Sequence, residues 1–187
     1  MQIAHRNRLF TADEYHRMEK AGILSENDRV ELIDGEIVTK MTIGPRHNAC
    51  VDRALRAFVT GVGDEAILRV QGSVGVSLFS EPEPDLVLLR PRADYYATEL
   101  PGPDDILLIV EIADSSIKFD CDVKAHVYAE AGVREYWLAD LTTNTLICYT
   151  EPRGRTYQAV RQCHRGDTIA PHLLPNCLIV VDVLLAE

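Results

Sequence analysis

Ile106-Leu107-Leu108-Ile109-Val110-Glu111-Ile112 is an apolar run broken by a single acid. Its length and composition, with Pro101, Gly102 and Pro103 just ahead, are those of a strand covered on both faces. An ionised carboxylate in such a place is costly unless a cation neutralises it. A second run, Leu86-Val87-Leu88-Leu89, opens on Pro84-Asp85, so two acids are expected at the ends of two central strands. Downstream, Asp120 to Gly132 supplies Lys124 on a helix that Ser115 or Asp120 can cap and Gly132 can end. Arg134 to Asp140 then returns as a strand. Strand, helix and strand in that order predict a right-handed parallel crossover. Two acids and a lysine are the residue types of metal-assisted phosphodiester hydrolysis, with hard oxygen ligands for a divalent cation and an ammonium facing the phosphate.

Outward from this centre, Thr11-Ala12-Asp13-Glu14 reads as a capping box opening a helix to about Lys20, ended by Gly22. Arg29 to Val38 reads as a hairpin, because Asp34-Gly35 between apolar strands suits the left-handed backbone of a tight turn. Period two puts Glu31 on the same side as Ile33. Pro45 at a first-turn position, with Val51, Leu55, Phe58 and Val62 at helical spacing, predicts an amphipathic helix from Pro45 to about Thr60. Further strands are expected at Ile67 to Val70, Ser73 to Phe79, Thr145 to Thr150, Thr156 to Val160 and Leu178 to Val183. Turns are expected at Arg153-Gly154 and Gly166-Asp167. The proline-rich segment Arg90 to Asp105 is expected to form a helical turn at Asp94-Tyr95-Tyr96 and a mobile loop bordering a substrate groove. No repeat or linker interrupts 1–187, which reads as one domain.

The 187 residues allow a substantial core, and 47% hydrophobic with 26% charged is ordinary globular composition. The longest apolar run falls far short of the roughly 20 residues of a membrane span, and no signal-peptide segment is visible, so a cytoplasmic protein is expected. Five widely spaced cysteines, Cys50, Cys121, Cys148, Cys163 and Cys177, are expected to be reduced and structural. The six histidines show no paired metal-ligand spacing. A net charge of -10 opposes broad electrostatic capture of nucleic acid, whereas a bound divalent cation reverses the field inside an acidic site. Arg46, Arg53 and Arg56, and Arg153, Arg155, Arg161 and Arg165, cluster in sequence, and a solvated face is the simpler reading of each cluster. Ser115-Ser116-Ile117-Lys118 lacks the partner motifs of a serine–lysine enzyme, and Gly61 to Ala66 follows a helix where a dinucleotide fingerprint opens one.

Pro84-Asp85, the Glu111-Ile112-Ala113 strand end, Lys124, Ala131-Gly132-Val133 and Glu135-Tyr136-Trp137 together resemble the Uma family of restriction endonucleases, within the PD-(D/E)XK nuclease superfamily. The resemblance runs from about Thr11 to Leu184 and includes the Glu31-Leu32-Ile33-Asp34-Gly35 hairpin. It implies an α/β, restriction-endonuclease-like fold: a mixed β-sheet flanked by helices, with extra β-hairpins at both ends. It also implies an endonuclease acting on DNA with Mg²⁺ or Mn²⁺, often as a homodimer. Asp85, Glu111, Glu31 and the Ile112 carbonyl would be the metal ligands, and Asp85, Glu111, Lys124 and Glu31 the catalytic set. The superfamily places a lysine two residues after the second acid, where this chain has Ala113; the matching lysine of the family lies on the next helix, at Lys124. The spacing of Lys124, Val127, Tyr128 and Ala131 turns Lys124 toward the sheet, and Asp120 shares that face.

Each residue also has a plainer reading. Asp85 can simply start a strand, Lys124 can neutralise Glu111 structurally, and Glu31 can be a solvated hairpin residue. His47 and Gln71 are weaker site candidates. A catalytically inactive module binding protein or nucleic acid, and an enzyme acting on another phosphate substrate, are the rival functions.

Overall fold

The computed structural model describes residues 7–185. Helix α1 (Ala12–Lys20) opens on the expected capping box, with Glu14 N donating to Thr11 Oγ1 at 3.2 Å and Thr11 N donating to the Glu14 carboxylate at 3.1 Å. Strands β1 (Val30–Ile33) and β2 (Glu36–Thr39) form the hairpin, turning through Asp34 and Gly35, both at positive φ. Helix α2 (Pro45–Val62) starts at its proline and runs slightly beyond the expected end.

The main sheet has six strands in chain order: β3 (Ile67–Val70), β4 (Leu86–Leu89), β5 (Ile106–Ala113), β6 (Glu135–Asp140), β7 (Thr145–Arg153) and β8 (Thr156–Cys163). Only β5 and β6 pair in parallel, as the crossover required; the other neighbours are antiparallel. The crossover is α3 (Ile117–Phe119), a π turn over Asp120–Lys124, and α4 (Ala125–Glu130). It stops where Gly132, at φ +81°, lets Val133 N donate back to Tyr128 O. A small antiparallel pair, β9 (Thr168–Ile169) and β10 (Ile179–Val180), lies near the C-terminus. The fold is thus a mixed sheet flanked by helices, with short two-stranded additions.

Both faces of the sheet are covered, which is why β5 carries no polar alternation. On one face Leu86, Leu88, Leu108, Val110 and Trp137 pack against Cys50, Ala54 and Phe58 of α2 and against Leu174, Leu184 and Leu185. On the other, Val87, Ile109, Tyr136 and Leu138 meet Val127 and Tyr128 of α4 and Ile33 of the hairpin. Each fully buried leucine is worth about 1.5–3 kcal/mol. The C-terminal leucines at 174, 184 and 185 therefore serve the core and not an exposed face. The five cysteines are free.

Five local expectations fail. Ser73 to Phe79 forms no strand: it folds back through Ser77 and Ser80, with Val76 N donating to Ser80 O, and the returning segment contains Pro82 and Pro84, which lack the N–H a ladder needs. Tyr95 and Tyr96 lie at φ 53° and 60°, which excludes a right-handed helical turn. Their loop also stays away from the groove described below; Tyr96 is buried, donates to Arg90 O at 2.9 Å and lies under the guanidiniums of Arg69 and Arg92. Of Leu178 to Val183 only Ile179 and Val180 pair, and the chain then coils into a short 3₁₀ turn. Neither Ser115 nor Asp120 caps the crossover helix, because Ser116 occupies the position before it.

Candidate active site

Strand β4 starts only at Leu86, paired with Val110, while antiparallel β5 runs on past that pair to Ala113. The free edge beyond Val110 carries the Ile112 amide and carbonyl. Asp85 closes that gap: its Oδ2 accepts from Ile112 N at 2.9 Å and is also 2.9 Å from His47 Nε2, which comes from the first turn of α2. Glu111 points the other way, toward the crossover helix. Its Oε1 accepts from Lys124 Nζ at 2.9 Å and from Tyr128 OH at 2.8 Å, and its Oε2 accepts from Asp85 N at 3.3 Å. Lys124 Nζ is also 3.1 Å from Glu31 Oε2, which accepts from Glu83 N. Asp120, one π turn before Lys124, accepts from Ser116 Oγ at 2.6 Å.

The four residues expected from the sequence, Asp85, Glu111, Lys124 and Glu31, are therefore brought together, with Ile112 at the same strand end. Lys124 reaches Glu111 from the helix face its spacing indicated. Asp120 shares the face but forms no ion pair with Lys124. Three participants carried little or no sequence signal. His47 is joined to Asp85, Tyr128 donates to Glu111, and the Lys40–Glu83 pair at 2.7 Å borders the site. Gln71 lines the wall of the groove without a stronger role. The site floors a cleft of about 630 Å³, walled by Met41, Ile43, Gln71, Lys118 and Phe119.

Four buried or nearly buried carboxylates, Glu31, Asp85, Glu111 and Asp120, face one buried ammonium. Burial pushes Glu111 up to about 8, against the pull of Lys124 and with help from its acidic neighbours. Burial likewise raises Asp120 to about 6. Burial alone would lower Lys124, yet Glu111, Glu31 and Asp120 outweigh it and hold the ammonium well above the ordinary lysine value. Lys124 is thus a fixed positive charge and no proton acceptor. Burial raises the Tyr128 phenol, keeping it a donor.

Among the described residues, no three His, Cys, Asp or Glu side chains converge as a ready-made metal centre. The donor set nonetheless suits Mg²⁺, which takes one or two carboxylates and keeps several waters. Both donors to Asp85 use Oδ2, leaving Oδ1 without a protein donor among the described residues. Glu111 Oε2 has one long hydrogen bond, and the Ile112 carbonyl lies beyond the last β4–β5 pair. The surplus of negative charge is what a divalent cation would offset. Asp85, Glu111 and Ile112 fit such an ion, and Glu31, 3.1 Å from Lys124 Nζ, lies in the same cleft.

The sequence model of the Uma2 family, described as "Putative restriction endonuclease", matches residues 12–182. The chain belongs to that family. A crystal structure described as a putative nuclease of DUF820 from Anabaena variabilis matches with a TM-score of 0.70, covering 94% of this chain and 97% of its own, at 16% identity. At that identity the likeness speaks for the fold alone. No curated protein matches the sequence. The Uma2 family assignment carries a nuclease function, and no helix among the described residues is long and apolar enough to cross a membrane.

Proposed function

We propose that this Uma2 protein is a Mg²⁺- or Mn²⁺-dependent endonuclease hydrolysing phosphodiester bonds in DNA. The observation that carries the reading is the meeting of Asp85, Glu111 and the Ile112 strand edge beside a buried, permanently charged Lys124 at the floor of one cleft. A divalent cation bound there would lower the pKa of a water and polarise the phosphate. Asp85 Oδ1 and Glu111 Oε2 would hold it, with the Ile112 carbonyl and Glu31. Lys124 contributes a preorganised positive charge toward the phosphate oxygens as negative charge grows on them. Tyr128 and Glu31 keep Glu111 and Lys124 in place. Paired copies in the cytoplasm would cut both strands of a duplex, and sedimentation with and without DNA checks the pairing.

Supercoiled plasmid and single-stranded DNA, each with Mg²⁺ and then Mn²⁺, should be cut by wild type and left intact by Asp85→Asn. Equal cutting by both proteins would refute the assignment. The rival reading, a non-catalytic module of the same fold, draws on the net charge of -10 and on Ala113 at the superfamily's lysine position. It predicts Mn²⁺ binding that is no better in wild type than in Asp85→Asn.

A further inference from the structure

We infer that His47 is a positioning residue that locks the Asp85 carboxylate so that Oδ1 faces the cleft; this rests on the metal-dependent reading proposed above. Asp85 is the first residue before β4, preceded by a proline, and nothing in its own strand fixes the rotation of its carboxylate. Two donors do so from outside, Ile112 N and His47 Nε2, each 2.9 Å away and both on Oδ2. Removing one leaves a single hydrogen bond about which the carboxylate can exchange its oxygens.

Packing does not explain this histidine. The residue is 8% exposed, and its Nδ1 is buried with no hydrogen-bond partner. A leucine would fill the space without the unpaired nitrogen, so what the imidazole adds there is its bond to Asp85. Its backbone is well anchored. Pro45 fixes the start of α2, and Arg46 reaches both Asp114, just past β5, at 2.9 Å and the carbonyl of Leu141, just past β6. The helix turn carrying His47 is therefore tied to the strand ends that carry the site. Outer groups holding a metal-binding carboxylate typically change affinity 10–100-fold when removed.

The test compares wild type, His47→Leu, His47→Gln and Asp85→Asn for Mn²⁺ binding, followed by the electron paramagnetic resonance of free Mn²⁺, together with the melting temperature of each. His47→Leu should weaken Mn²⁺ binding about 10–100-fold with a melting temperature close to that of wild type. His47→Gln, whose amide can donate from nearly the same point as Nε2, should recover much of the loss. Equal affinity in wild type and His47→Leu would overturn this inference alone, as would a Gln variant no better than Leu. Absence of Mn²⁺ binding by wild type would overturn the metal-dependent reading and this inference with it.

Discussion

Glu111 and Glu135 are buried carboxylates on adjacent strands, facing opposite sides of one sheet. Glu135, on the α2 side, is satisfied by neutral donors: Trp137 Nε1 to Oε1 and His172 N to Oε2, each at 2.7 Å, with no ion pair among the described residues. Glu111 has an ammonium, a phenol and an amide, the same ammonium also meets Glu31, and Asp85 and Asp120 line the same cleft. One isolated acid can be held inside a fold by N–H groups alone. Two acids on one lysine with two more in the same cleft exceed what the fold needs, and that surplus of acids, not burial, distinguishes the face proposed to be active.

The largest break in this contrast should come from Lys124→Met, which removes the ammonium at nearly constant volume and leaves Glu31 and Glu111 uncompensated. Losing one partner of a buried pair costs about 3–5 kcal/mol, measurable by urea unfolding, and added Mn²⁺ should return part of it. A loss below about 1 kcal/mol would mean the acids are protonated or solvated and the contrast is false. Glu135→Gln should cost less, about 1–3 kcal/mol, because its amide nitrogen would confront Trp137 or His172, and it should leave Mn²⁺ binding untouched. Burial raises the folded Glu135 carboxyl above its unfolded value. Its contribution to stability is thus full below about pH 4.3 and is lost as the pH rises through the folded value. The advantage of wild type over Glu135→Gln should therefore narrow with rising pH; a widening gap would show that the two N–H donors dominate. The smallest effect belongs to Arg155, whose half-exposed guanidinium ties Asp34 of the hairpin turn to Glu130 of α4. Arg155→Ala should change stability by about 0–1 kcal/mol, and a larger loss would make this surface clamp part of what holds Glu31 near Lys124.

Glu111 and Asp85 could be recognised in the sequence because an acid stands out in or beside an apolar strand, and Lys124 because its spacing with Val127 and Tyr128 turns it toward the sheet. Of the partners, His47 is legible only as a weaker candidate and Tyr128 only as an inward-facing residue. Helical spacing turns Tyr128 inward, but which strand atom it meets depends on how α4 lies over β5, and His47 reaches Asp85 only because α2 starts beside the strand ends. The same dependence on where the chain goes defeats Ser73 to Phe79, whose alternating valines have the period of a strand but meet a returning segment in which Pro82 and Pro84 lack the N–H a ladder needs. The left-handed Tyr95 and Tyr96 are set by packing of the Tyr96 ring, which no local pattern announces.

The π turn at Asp120–Lys124 makes the length of this helix as informative as its composition. An i→i+5 turn holds one residue more than an α turn, the equivalent of a single insertion. Deleting one residue there would restore a regular ladder and keep the helix before and after it in register, because the bulge alone holds the surplus residue. Asp120 and Lys124 would then stand three residues apart in place of four and still share a face, so what changes is the height at which Lys124 enters the site. The reach of Lys124 toward Glu111 is therefore set by the number of residues in this one turn as well as by their identity.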